Sequence, residues 1–301
     1  MRRFTCLALI SIVVIHGPVR GQEKKSPPAG STQGKEAALK EQLSRTEHSV
    51  RVNGTELRYT ATAGNLLLKE EDGKTRASVF FIAYTKNDVA EPAKRPITFT
   101  FNGGPGSSSV WLHLGAFGPK RVLMTDKGEP TPPPYRLVDN DLTLLGQSDL
   151  VFIDPVSTGY SRAAPGQSTK QFHGVQEDIQ AVGDFIRLYT TNFKRWQSPK
   201  FLAGESYGTT RAAGLASHLQ DQLGMNLNGI VLVSSVLDFQ TLRFDDGNDL
   251  PYILFLPSYT ATAWYHKKLS EELQIDRRRT LEEVEKFALT DYTVALMKGD
   301  R

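Results

Sequence analysis

The residues best placed to do chemistry are Gly204-Glu205-Ser206-Tyr207-Gly208, a Gly-x-Ser-x-Gly run. A serine hydroxyl becomes a useful nucleophile when a strand turns sharply into a helix and leaves the side chain standing proud of the sheet. Flanking glycines suit that strained bend, because a Cβ there would clash. The context fits: apolar residues 201–203 read as a strand, and residues 209–223 as a helix closed by Gly224. A second glycine-rich loop, Asn102-Gly103-Gly104-Pro105-Gly106-Ser107-Ser108, follows a short apolar strand at residues 97–101. Acyl transfer needs two backbone N–H groups aimed at the developing oxyanion. One comes from the residue after the nucleophile, the other from an earlier strand–helix loop. Tyr207 and Gly104 are the candidates. No Lys-Ser/Thr pair follows these glycines, which sets aside a phosphate loop.

A nucleophilic serine also needs a base, and in this arrangement the chain order is Ser, then Asp or Glu, then His. Only His218 and His266 follow Ser206. His218 lies on the same expected helix, roughly 18 Å along it at helical rise, against a hydrogen-bond reach of about 3 Å. It reads as a surface helix residue. His266, within Trp264-Tyr265-His266-Lys267-Lys268, reads as a packing or solvent-facing residue. Asp238 follows the strand after the elbow and is a distant candidate for the acid. His113 is expected near the pocket, and His173 reads as structural. The acid and base are expected beyond Arg301, in a C-terminal part that this chain lacks.

The elements that must hold these residues follow from periodicity. Residues 48–84 alternate apolar and polar side chains between glycines, an opening set of antiparallel strands. Short apolar runs at residues 97–101, 150–153, 201–203 and 230–233 read as further strands. Phe172, Val175, Ile179, Val182, Ile186 and Tyr189 recur at three- and four-residue steps, as on an amphipathic helix. Strands alternating with helices imply a mostly parallel sheet with helices on both faces. With the elbow, this is the order of an α/β-hydrolase fold: N-terminal antiparallel strands, a mostly parallel central sheet and the start of a helical cap. The expected divisions are a signal peptide (1–21), a flexible polar linker (22–46), the hydrolase core (47–238) and the start of the cap (239–301).

The N-terminus carries Arg2 and Arg3, then an apolar run over residues 7–15, then Val19 and Gly21 as a cleavage pair. That is the layout of an export signal, and it is too short to cross a bilayer, so a secreted or periplasmic protein is expected with no stable membrane span. The chain has 36 Lys and Arg against 33 Asp and Glu, and the arginines at 2, 3 and 20 account for the whole excess. A neutral mature chain has no electrostatic footprint for nucleic acid. The one cysteine, Cys6, lies inside the signal, so no disulfide framework or thiolate metal site is expected. No His-Glu-x-x-His motif is present, and neither metal nor cofactor is expected.

With both loops and the segment Asp154-Pro155-Val156-Ser157-Thr158-Gly159-Tyr160-Ser161 in view, the sequence resembles the serine carboxypeptidase family, as a C-terminally truncated bacterial-type member. The resemblance covers roughly residues 48–269. It implies release of C-terminal residues from peptides through an acyl-enzyme, with Ser206 as nucleophile and Gly104 and Tyr207 as oxyanion donors. It further implies that Asn102 and Glu205 bind the terminal carboxylate of a peptide substrate. Three positions depart from the family's pattern: Ala116 stands where a second glutamate is usual, Ser107 where a cysteine is, and Thr100 where an aromatic residue is. Paired carboxyl groups bind a carboxylate by sharing a proton, so losing one implies a less acid-shifted optimum. An esterase or acyltransferase using the same serine, and a non-catalytic scaffold, remain open.

Overall fold

The computed structural model describes residues 39–299. The expected signal peptide and most of the expected linker lie outside them. β1 (Gln42–Val52) already begins inside the stretch expected to be linker, and residues 42–46 pair with β2 (Thr55–Lys69). Asn53 and Gly54, both at positive φ, join the two strands. That is the backbone a two-residue hairpin turn demands, and Asn-Gly supplies it at low cost. β3 (Thr75–Lys86) returns antiparallel and turns Ala77, Val79, Phe81 and Ala83 inward at every second residue.

The pattern then changes from alternating to continuous burial. Every residue of β4 (Ile97–Phe101) is buried. A single turn, α1 (Val110–Leu112), follows the glycine loop. β5 (Lys120–Val122) and β6 (Leu137–Asp139) form a separate two-stranded ribbon. β7 (Asp149–Ile153) is again buried throughout, and the short β8 (Arg162–Ala163) pairs with β3. Next come α2 (Val175–Asn192), β9 (Lys200–Glu205), α3 (Tyr207–Asp221) and β10 (Gly229–Val233).

The main sheet runs β1-β2-β3-β7-β4-β9-β10. Pairing is antiparallel as far as β3–β7 and parallel from β7 through β4 and β9 to β10. The continuous apolar run at residues 150–153 of β7 is what a strand covered on both faces requires, and in β4 the buried Thr98 and Thr100 are bonded to the Ser148 hydroxyl and the Val151 carbonyl. On one face Phe81, Phe99, Phe101 and Ile153 pack with Phe185 and Ile186 of α2 and Leu215 and Leu219 of α3. Each such side chain contributes about 1.5–3 kcal/mol when withdrawn from water. On the other face Tyr59, Tyr84 and Phe152 pack with Leu112 and Leu145. The sequence suggested helices on both faces. Among the described residues α2 and α3 share one face, and the opposite face carries only the single turn α1, through Leu112, and the turn holding Leu145.

Beyond the sheet the chain is helical, as its aromatic composition suggested: α4 (Leu250–Tyr265), α5 (Glu271–Gln274), α6 (Arg277–Phe287) and α7 (Thr293–Lys298). No described helix is long and apolar enough to cross a membrane. The architecture is an α/β-hydrolase fold, and its parallel strands end where ligands bind in such sheets, at their carboxyl edges.

Candidate active site

At the carboxyl end of β9, Ser206 adopts φ 56° and ψ −126°. A residue with a side chain is strained in that region and persists there only when its surroundings hold it. The surroundings are main chain. The Ser206 N–H donates to the Val233 carbonyl at 3.0 Å, and the Ser206 carbonyl accepts from the Thr209 N–H at 2.8 Å. A Cβ on Gly204 would collide with the Gly208 carbonyl, and one on Gly208 would stand 2.7 Å from the Phe101 carbonyl. The glycines on either side of the serine are therefore a packing requirement. Helix α3 starts at Tyr207, two residues before the sequence suggested, so the Tyr207 N–H sits at the first helical position without an intrahelical acceptor.

The glycine loop after β4 lies directly against this bend. A Cβ on Gly103 would collide with the Tyr207 amide nitrogen and stand 2.7 Å from the Glu205 carbonyl. Gly104 takes φ +106°, open to glycine, and the Gly103 carbonyl accepts from Gly106 and Ser107 at 3.2 and 3.1 Å. The amides expected to serve together thus belong to two segments in main-chain contact. Such a joint can offer a half-buried hydroxyl and free N–H groups to one ligand atom.

Asn102 stands at the centre of the joint, fully buried. Its side-chain amide donates to Glu205 Oε2 at 2.9 Å, and its side-chain oxygen accepts from the Leu112 N–H at 3.0 Å. The structure therefore joins the two residues that the resemblance paired. Ala116, at the position of the family's second glutamate, uses its carbonyl to accept from Asn140.

Two charged residues here were not foreseen. Arg211 on α3 is 2% exposed, and its Nη1 donates to the Asn102 carbonyl at 2.8 Å. Its Nε and Nη2 donate to the two carboxylate oxygens of Asp178 on α2, at 2.8 and 3.2 Å. The guanidinium lies 5.3 Å from the Phe101 ring centre and 5.2 Å from that of Tyr207. Burial, and then the charge of Asp178, raise the Tyr207 phenol above its ordinary pKa. The sequence held a signal for this pair. Asp178 and Arg211 lie on the core-facing stripes of their helices, beside Ile179 and Ala212, where an unpaired charge is hardly ever tolerated.

Beside the elbow is a cavity of ≈ 380 Å³ walled by Pro105, Val156, Phe172 and Tyr207, with Ser157 and His173 also on its lining. The segment below it is held by Asp154, whose carboxylate accepts from the Ser109 N–H at 2.9 Å and the Tyr160 N–H at 3.4 Å. Burial raises the pKa of Asp154.

The histidines divide differently from expectation. His113 does not line the cavity: it is buried on the opposite face, bonded to the Tyr84 hydroxyl at 2.6 Å and packed on Phe152. Burial pushes its pKa down to about 4. His218 is not a plain surface residue, because its ring packs onto α2 at Gly183, where a Cβ would stand 3.0 Å from Nε2. His173 bonds Ser157 at 3.0 Å, His266 caps the end of α4, and Asp238 caps the short turn Phe239–Thr241. Among the described residues no side chain is hydrogen-bonded to the Ser206 hydroxyl, and no group of three or more metal-ligating side chains is present.

Comparison with known proteins gives the family of the chain. The family profile described as "Serine carboxypeptidase" matches residues 54–285. The pheromone-processing carboxypeptidase KEX1 of Saccharomyces cerevisiae is 33% identical over 156 residues, 48% of this chain and 20% of that protein. Serine carboxypeptidase-like 46 of Arabidopsis thaliana is 27% identical over 66% of this chain and 41% of its own length. The chain thus spans less than half the length of these curated relatives. The crystal structure of a prohormone-processing carboxypeptidase from S. cerevisiae, Kex1(delta)p, superposes with a TM-score of 0.48 at 20% identity, over 77% of this chain and 53% of that one. The profile takes in most of the sequence and both loops of the site, and the chain belongs to the serine carboxypeptidase family.

Proposed function

We propose that this protein is an exported serine-type hydrolase that cleaves peptides near their C-terminus through an acyl-enzyme on Ser206. The observation that carries the reading is the mounting of that serine. Its strained backbone stands at the carboxyl edge of the sheet, with the Gly103–Gly104 segment packed against the Tyr207 amide. In the reaction the Ser206 oxygen bonds to the scissile carbonyl carbon, whose oxygen gathers negative charge and takes hydrogen bonds from the Gly104 and Tyr207 N–H groups. The C–N bond then breaks, and the amine leaves with the proton given up by the serine hydroxyl. Water hydrolyses the resulting ester to release the acyl group and restore Ser206. Donors fixed in advance suit this step because they need no reorganisation as charge develops. The cavity beside Tyr207 suits the acyl-side group, and the family resemblance assigns Asn102 and Glu205 to the leaving side.

A second reading, hydrolysis of esters or amides that lack a free carboxylate, is favoured by one feature of that leaving side. Glu205 has no carboxyl partner at Ala116, and the Asn102 side-chain amide already donates to Glu205. A substrate carboxylate facing Glu205 meets a like charge, whereas a neutral amide can donate to it. Labelling with a fluorophosphonate, lost in Ser206→Ala, tests the nucleophile. Rates on a blocked peptide acid, its amide and its simple ester then separate the readings, since carboxypeptidase action requires the free acid. Export is tested by N-terminal sequencing of protein recovered outside the cytoplasm, with a start at Gln22 expected.

A further inference from the structure

The β4–β9 ladder stops at the pair Phe101–Gly204, one residue short of the glycine loop. From Asn102 onward no backbone hydrogen bond joins the loop to the elbow among the described residues. Beyond that last main-chain pair, the hydrogen bonds that join the segment carrying one expected oxyanion donor to the segment carrying the other come from side chains. One is the Asn102–Glu205 bond, and the other is Arg211. Glycine at 103, 204 and 208 lets the two main chains touch but supplies no attraction.

We propose that Arg211 is a positioning residue for acyl transfer at Ser206. It replaces the missing rung of the ladder and fixes the Gly104 N–H relative to the Tyr207 N–H. This inference rests on the proposed role of Ser206. Its guanidinium is built for the task. One edge is gripped by Asp178 through two hydrogen bonds, and the remaining nitrogen reaches the Asn102 carbonyl. The planar fork has a fixed shape, so the carbonyl's position is set by helix α2 through Asp178 and by helix α3 through Arg211 itself. A lysine carries one charged point and cannot span both partners. Burial strengthens the bond to Asn102, because a hydrogen bond to a charged group is electrostatically stronger in the low-dielectric interior than in water. The cost of an oxyanion donor set at the wrong position is large, since losing one altogether slows acyl transfer by about 10²–10³-fold.

The test counts labelled sites and times each one. Wild type, Arg211→Lys and the double variant Arg211→Met with Asp178→Leu are titrated with a fluorophosphonate, and Ser206→Ala serves as the blank. The double variant leaves no unpaired charge in the interior, a replacement that proteins commonly tolerate. We expect the variants to label to the same final stoichiometry as wild type. The rate constant per site should fall about 10–1,000-fold in the double variant, with a smaller fall in Arg211→Lys. A purely structural role predicts the reverse, fewer sites each reacting at the wild-type rate, and that result overturns the inference. Should the double variant fail to fold, Arg211→Lys is read by the same criterion. Absence of Ser206-dependent labelling in wild type overturns the proposed function, and this inference with it.

Discussion

The two ends of the parallel strands β4, β7 and β9 each bury an Asp–Arg cluster, yet the clusters are built differently. At the amino ends, Asp149 collects Arg95 at 2.8 Å, Arg195 at 2.7 Å and the Lys86 N–H at 3.0 Å. Arg195 also donates to the Arg95 carbonyl and to Ser198, so nearly every donor in the cluster ties one strand entry to another. At the carboxyl ends, Asp178 holds a single arginine, whose spare nitrogen is directed at the carbonyl of a loop. The first cluster's spare bond, from Arg95 to the Leu145 carbonyl, goes into the turn that leads to β7, away from the elbow. The second's goes to the loop packed against the elbow. A buried ion pair says little about its purpose until the destination of its spare hydrogen bond is known, because desolvation cancels most of the attraction in either case.

Four experiments press on that contrast. Asp149→Ala strands Arg95 and Arg195 without a counter-charge, and removing one partner from such a cluster costs about 3–5 kcal/mol. Urea unfolding should show this loss, while the labelling rate per folded site stays at the wild-type value. A slowed rate would mean that the amino-end cluster also shapes the site.

His113 belongs to neither cluster and provides a control. Its pKa is about 4 in the folded protein against 6.5 when free, so the unfolded chain binds the proton first as pH falls. Stability from this group is complete above pH 6.5 and is lost between pH 6.5 and 4, by about 3 kcal/mol in all. His113→Phe should flatten that stretch of the stability–pH curve.

Gly103→Ala puts a methyl group into the Tyr207 backbone. Overpacking of this kind costs about 1–3 kcal/mol, and here the labelling rate should fall with it. Smallest of all, Arg278→Ala removes the exposed pair with Glu282 on α6. Its effect on Tm should be about 1 °C or less, with no change in labelling.

Much of this was legible in the sequence because the relevant physics is local. The elbow needs a strand, a glycine-flanked serine and a helix in immediate succession, and all lie within residues 200–221. The hairpin at Asn53-Gly54 and the buried runs of β4 and β7 are equally local. What was hidden depends on how distant segments meet. Asn102 and Glu205 were paired by family resemblance, not by anything in their own neighbourhoods. Arg211 reads as one more basic residue on a helix until α2 is laid beside α3. His113 was misplaced because helical phase in a stretch this short does not say which face of the sheet it will join. The early start of β1 was missed because its first residues are exposed and polar, held by backbone pairing with β2.

The amide of Ser206 is anchored to the last residue of β10, the outermost described strand, whose Ile230, Val231 and Leu232 are each about 40% exposed. The rim of the sheet and the Ser206 turn are therefore linked by this hydrogen bond, just past the end of the β9–β10 ladder. Whatever comes to lie along that rim, a further strand or nothing but solvent, sets how firmly the serine is seated. Deuterium uptake at the Ser206 amide would register the difference directly.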